Sequence, residues 1–228
     1  MGALWGAAGL LAVYGLIMVL GGYRLLTPAG VDVPGILELM LVAGLGAAVT
    51  EELAFREMGL RLLEEFAGTW TAVVVSGRVF GMFHLTNPDA TLWAGIATAI
   101  EAGLLEGVSY ALTRSLWVVI GYHMLWNIVQ GPVWGVPISG TGKASSIWHT
   151  GLTGPEWLTG GSFGLEASVV TVILLLTSTV VLALMLRRRG GVAAPRAGGV
   201  AGELLAASAG LRSTDDPGDM VPDIGQVH

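Results

Sequence analysis

The chain has 228 residues, 53% hydrophobic and only 12% charged, with a mean hydropathy of +0.71. That balance is far from a water-soluble domain and places the protein in a membrane. Seventeen acidic residues against eleven basic ones, with no basic patch, exclude nucleic acid as a partner, and the absence of cysteine excludes disulfides, thiolate zinc sites and a cysteine nucleophile.

The expected fold is all-α: a polytopic transmembrane helix bundle of about six spans around a polar cavity, with a disordered C-terminal tail. Residues 1–30 hold a first span, over residues 3–22, that is long enough to cross a bilayer. No basic residue precedes it, which favours a span over a cleaved leader. Residues 31–140 form the core. A second helix starts near Val33 and runs to about Phe66, a third covers 69–86, a fourth 91–112 and a fifth 116–129. Residues 141–164, rich in Gly, Pro, Ser and Thr, read as a long exposed loop, with Trp148 and Trp157 as interfacial anchors. Residues 165–189 give a last span that stops at Arg187, Arg188 and Arg189, and 190–228 read as the tail. The arginine stop points to the cytoplasm, so six spans put both termini there, with Arg56, Arg61 and Arg114 in cytoplasmic turns and Arg24 and Lys143 outside. The expected setting is a plasma membrane, with the lipid bilayer itself as one partner.

Ionised groups inside such helices demand a reason. Glu51 and Glu52 are adjacent, so they point about 100° apart on a helix and their roles split. Arg56, four residues after Glu52, is spaced to form a structural ion pair with it. Glu51 is left without a local partner and reads as the chemical base. A tight turn at Ala67-Gly68 places Glu51 level with His84 on the neighbouring helix. His123 and Asn127 share one face of the fifth helix, and Arg78 is expected to pair with Glu101 between the third and fourth. Glu106 has no obvious cation: it faces the cavity near His123 or lies close to the cytoplasmic surface.

Glu51-Glu52-x-x-x-Arg56, Phe80-x-x-x-His84 and His123-x-x-x-Asn127, in that order, resemble the three motifs of the CPBP intramembrane proteases. That family includes CAAX prenyl endopeptidases and bacteriocin-processing or self-immunity proteins. The resemblance implies peptide-bond hydrolysis within the membrane, with Glu51 and His84 activating water and His123 and Asn127 stabilising the oxyanion. The substrate would be a peptide or protein. Two forms of the chemistry fit the motifs. In one no cofactor is needed; in the other a single zinc ion is held by Glu51, His84 and His123, although the HExxH helix of strong zinc sites is missing. The rival function is a non-catalytic membrane binding or bacteriocin-immunity protein in which the same polar cluster only joins helices. An ion or proton pathway would also use these groups, but no inverted repeat supports it.

Overall fold

The structure is a computed structural model that describes residues 1–26, 31–142 and 145–194. Its first helix, α1 (Gly2–Val19), ends at Gly21, whose positive φ turns the chain into a short strand, β1 (Tyr23–Leu26). Asp32 then caps the next helix by accepting a hydrogen bond from Gly35 N at 3.2 Å, with Pro34 in the first turn where its missing N–H costs nothing. A helical run continues over Val33–His84 and is broken at one residue. Gly68 has φ 77° and ψ 166°, a conformation open to glycine almost alone, and it divides the run into α2 (residues 33–67) and α3 (residues 69–84). Phe55 packs against Phe80 and Glu51 faces His84, so the two arms form a hairpin with its bend at residues 67–68.

Thr91 caps α4 (residues 92–113) by accepting from Ala94 N, and Arg114 in the left-handed region ends it. Helix α5 covers residues 116–133, and α7 (Val169–Arg188) starts at a Ser168 cap and ends in Arg187 and Arg188. Four stretches are wide π turns: Met40–Gly46, Leu53–Leu60, Ala99–Leu104 and Val129–Val133. Such turns are often found at functional sites, and here they bracket or contain Glu51, Glu52, Arg56 and Glu101.

Helices α4 and α5 lie at the centre. Helix α1 packs along α5, α3 along the middle of α4, and the second half of α4 against α7. Small residues allow these approaches: Gly77 meets Gly103 between α3 and α4, and Gly6 meets the Tyr122 backbone between α1 and α5. The larger apolar core gathers Leu10, Tyr14, Leu105, Tyr122, Trp126, Leu165 and Leu175. Leu41, Val42, Phe83, Val79, Ile173 and Val180 are left on the outside, the surface a bilayer covers.

The protein is thus a mostly helical integral membrane protein. Among the described residues, the helical runs long and apolar enough to cross a bilayer number three, Gly2–Val19, Val33–His84 and Val169–Arg188, against the six spans expected. Two causes reduce the number. Helices α2 and α3 form one run, and α4 and α5 mix Glu101, Glu106, His123 and Asn127 with their apolar residues.

Residues 141–164 differ from the exposed loop read in the sequence. Strand β2 (His149–Leu152) pairs antiparallel with β1, a four-residue helix α6 (Glu156–Thr159) follows, and Leu158 and Phe163 are buried. Tyr23 Oη donates to Thr159 O at 2.6 Å, tying this cap to α1. The segment gives no periodic signal because its few buried side chains are separated by Gly160, Gly161 and Gly164, all at positive φ. At the other end of the bundle, Ala193 N donates to Thr69 Oγ1 at 2.8 Å and Thr69 N to Ala193 O at 3.2 Å. The first residues of the expected tail are therefore fastened to the α2–α3 bend; residues 195–228, like Lys143, lie outside the described residues.

Candidate active site

The hairpin of α2 and α3 sets the first pair. His84 Nδ1 donates to Phe80 O at 2.9 Å; a carbonyl can only accept, so the proton sits on Nδ1 and Nε2 presents a lone pair. That Nε2 lies 3.8 Å from Glu51 Oε2, too long for a direct hydrogen bond and close enough for one water to touch both. Glu51 Oε2 is buried with no hydrogen-bond partner, although the Glu51 side chain as a whole keeps 20% of its exposure. Phe80 packs its ring 4.5 Å from the imidazole and holds it in place.

Glu52 points the other way, into a buried network across three helices. Arg56 Nε lies 3.2 Å from Glu52 Oε2, and its terminal nitrogen lies 2.8 Å from Glu106 Oε2 and 3.1 Å from Ala102 O on α4. The guanidinium also covers the Phe80 ring at 4.4 Å. His123 Nδ1 donates to Glu52 Oε1 at 3.0 Å and lies 3.9 Å from Glu106 Oε2. Glu52 therefore both holds Arg56 and orients His123. Arg56, fully buried here, does not lie in a cytoplasmic turn as its charge alone implied.

Two other expectations about charged residues change. Glu106 has a cation after all, because one guanidinium has donors enough for carboxylates on two helices. The expected Arg78–Glu101 pair is not formed: Arg78 is exposed on the outer face of α3, whereas Glu101 points inward and both its carboxylate oxygens lack hydrogen-bond partners. Equal depth along two helices fixes height and leaves rotation about each axis free, and here the two side chains are rotated apart.

A cavity of about 30 Å³, room for one or two waters, lies between α3, α4, α5 and the start of α7. His84, His123, Asn127, Glu101 and Glu106 contribute to its wall, and so do Ser139 and Glu166. Glu51 is not part of that wall and meets the site through His84, 3.8 Å away. Asn127 Nδ2 donates one hydrogen to Ala43 O at 2.8 Å and keeps a second. Glu166 accepts from Gln130 Nε2 at 2.6 Å and Ser139 N at 2.9 Å. Sequence reasoning gave no role to Glu101, Glu166 or Ser139 at this site. The signal for Glu101 was present, an intramembrane carboxylate, but it was spent on Arg78.

The donor set fits a zinc ion poorly. Among the described residues, the grouping with ligand atoms all within 4.8 Å of one another is Glu52, Glu106 and His123, and the Glu51, His84 and His123 set is not brought together in this way. A catalytic zinc takes three protein ligands, yet both carboxylates of that grouping are already held by Arg56. Glu51 and His84 alone supply two.

Residues 34–129 match a family model described as Rce1-like, type II CAAX prenyl endopeptidase. The matched segment contains Glu51, Glu52, Arg56, His84, His123 and Asn127 and stops short of Ser139 and Glu166. No curated protein matches the chain, and no solved structure does.

Proposed function

We propose that this chain, which belongs through residues 34–129 to the CPBP family of CAAX-type intramembrane proteases, hydrolyses a peptide bond of a membrane-associated protein or peptide with water activated by Glu51 and His84. The observation that carries this reading is the facing pair of Glu51 Oε2 and His84 Nε2, 3.8 Å apart, with His84 locked in the tautomer that leaves Nε2 free to accept. A water touching both gives its proton to this pair as its oxygen adds to the scissile carbonyl. Donors on α5 serve the oxyanion that forms: the second Asn127 Nδ2 hydrogen, and the Nε2–H of His123 in its imidazolium form, the form in which Glu52 holds the ring through Nδ1–H. Collapse of the tetrahedral intermediate breaks the C–N bond, and the proton taken from water goes to the leaving amine. No covalent enzyme intermediate forms, and no metal enters any step.

The test uses the purified full chain in liposomes with a membrane-anchored peptide. Glu51→Gln keeps the shape of the side chain and removes the base, so cleavage is expected to fall at least about 10²-fold while the helical circular dichroism is unchanged. Full activity in this variant would overturn the reading. Dialysis against a chelator, with metal content measured, is expected to leave turnover intact. Wild-type biological function retained by Glu51→Gln and His84→Ala together would favour the non-catalytic binding or immunity role.

For orientation, Arg61, Arg114, Arg187 and Arg188 gather at the end of the bundle that holds the α2–α3 bend, and the positive-inside rule assigns this end to the cytoplasm of a plasma membrane. At 1.5 Å per residue, Glu51 and His84 then lie about 24 Å from that end, nearer the opposite face. Single cysteines placed in this cysteine-free chain, labelled from either side, read the orientation directly.

A further inference from the structure

The cavity beside His84 contains more unsatisfied polar atoms than the proposed hydrolysis uses. Both oxygens of Glu101, Oγ1 of Thr98 and Oη of Tyr122 are buried without a hydrogen-bond partner, and all three residues line that cavity. Their exposures are 2%, 2% and 4%. A buried polar atom left unpaired costs about 1–3 kcal/mol, so four on one small wall mark a place built to receive a donor. Glu101, Glu106 and Glu166 are on the wall, no lysine or arginine is, and the nearby cationic groups, the guanidinium of Arg56 and the ring of His123, are engaged by Glu52 and Glu106, which leaves the carboxylate of Glu101 without one. Water-sized room, acceptors on several sides and an unpaired carboxylate together match a compact cation.

From this geometry we propose that the Glu101 cavity is a specificity subsite that takes the ammonium group of a lysine side chain next to the scissile bond. This rests on the protease reading for the identity of the ligand as substrate. The same wall carries His84, His123 and Asn127, so a lysine anchored at Glu101 holds the adjoining peptide carbonyl beside the α5 donors. Glu101 is here a binding residue. A site built around buried acceptors discriminates sharply against an analogue lacking the donor, because the acceptors are then left bare.

The experiment compares two membrane-anchored peptides, identical except that one has lysine and the other norleucine at positions scanned across the scissile bond. Two quantities are read: kcat/KM with the wild-type chain, and equilibrium affinity for the Glu51→Gln chain, which needs no turnover. At the best position lysine is expected to be favoured about 10-fold or more in both, and Glu101→Gln is expected to bring both ratios near one. Thr98→Val, a gentler change on the same wall, should reduce them in part. Cleavage of both peptides at equal rates would overturn the subsite and leave the protease. Glu101-dependent lysine binding without any cleavage would keep the subsite and overturn the protease. Neither cleavage nor a binding preference would overturn both. A lysine preference that survives Glu101→Gln in a folded chain would also overturn the subsite.

Discussion

Replacing Arg56 by methionine removes the cation that holds α2 to α4. In the folded protein this side chain is 1% exposed and makes three polar contacts: with Glu52 at 3.2 Å, with Glu106 at 2.8 Å and with Ala102 O at 3.1 Å. Methionine fills much of the volume and can still lie against Phe80, so the cavity contribution to the loss is small. What remains is a pair of carboxylates, Glu52 at 0% and Glu106 at 2% exposure, facing each other without their guanidinium. Removing one partner of a buried ion pair costs about 3–5 kcal/mol, most of it the uncompensated charge left behind. Unfolding of the purified chain in dodecyl maltoside micelles with a rising fraction of dodecyl sulfate, followed by circular dichroism, should show a loss of that size. Adding Glu52→Gln and Glu106→Gln to the same chain removes the stranded charges and should recover most of it. Arg56→Lys should fall between, because an ammonium lacks the fork that reaches two helices at once. If Arg56→Met unfolds within about 1 kcal/mol of wild type, or the triple variant is no better than the single one, the network does not work as described.

Two further outcomes test how the site is framed. Gly6→Ala drives a Cβ into Tyr122 O, a backbone atom that cannot swing away, so α1 and α5 must separate; the expected cost is about 1–3 kcal/mol in the same unfolding assay, and a neutral result would show that this contact is not tight. Asp32, outside the spans, accepts from Ser145 Oγ at 2.7 Å and from Gly35 N, and these hydrogen bonds, that of Ser145 first, lower its pKa below the usual carboxylate range. Its hold on the residue-145 segment is therefore complete above the ordinary carboxylate range and lost as pH falls through the lowered value. Proteolysis near residue 145 should rise over that acid window in wild type and be elevated at every pH in Ser145→Ala; a wild-type profile flat with pH would remove the role of this hydrogen bond.

Much of the molecule could be read along the chain, for a physical reason. Apolar length selects a membrane, and helix rise fixes the height of every side chain once a turn is located. Glycine at 68 located the bend, so Glu51 and His84 could be set level, and they do face each other. The spacing of Glu52 and Arg56 likewise reaches only one helical turn, within which geometry is local. The residues that resemble protease motifs all fall inside the segment that matches the family model.

Rotation and pairing between distant helices are different in kind. Each wide turn inserts an extra residue and turns everything beyond it by about 100° relative to a straight helix. Four such turns interrupt α2, α4 and α5, so no periodicity carried through them could tell that Glu101 faces inward, or that Arg56 spans from Glu52 to Glu106. Ser139 and Glu166 come from segments with no repeat at all, brought to the cavity by glycine-led turns at 140 and 164 and by the Gln130 hydrogen bond. Apolar length and helix rise fix which polar residues stand within the membrane and at what height; which of them share a wall, and which carboxylate is left without a cation, follows from rotation and packing that no local pattern encodes.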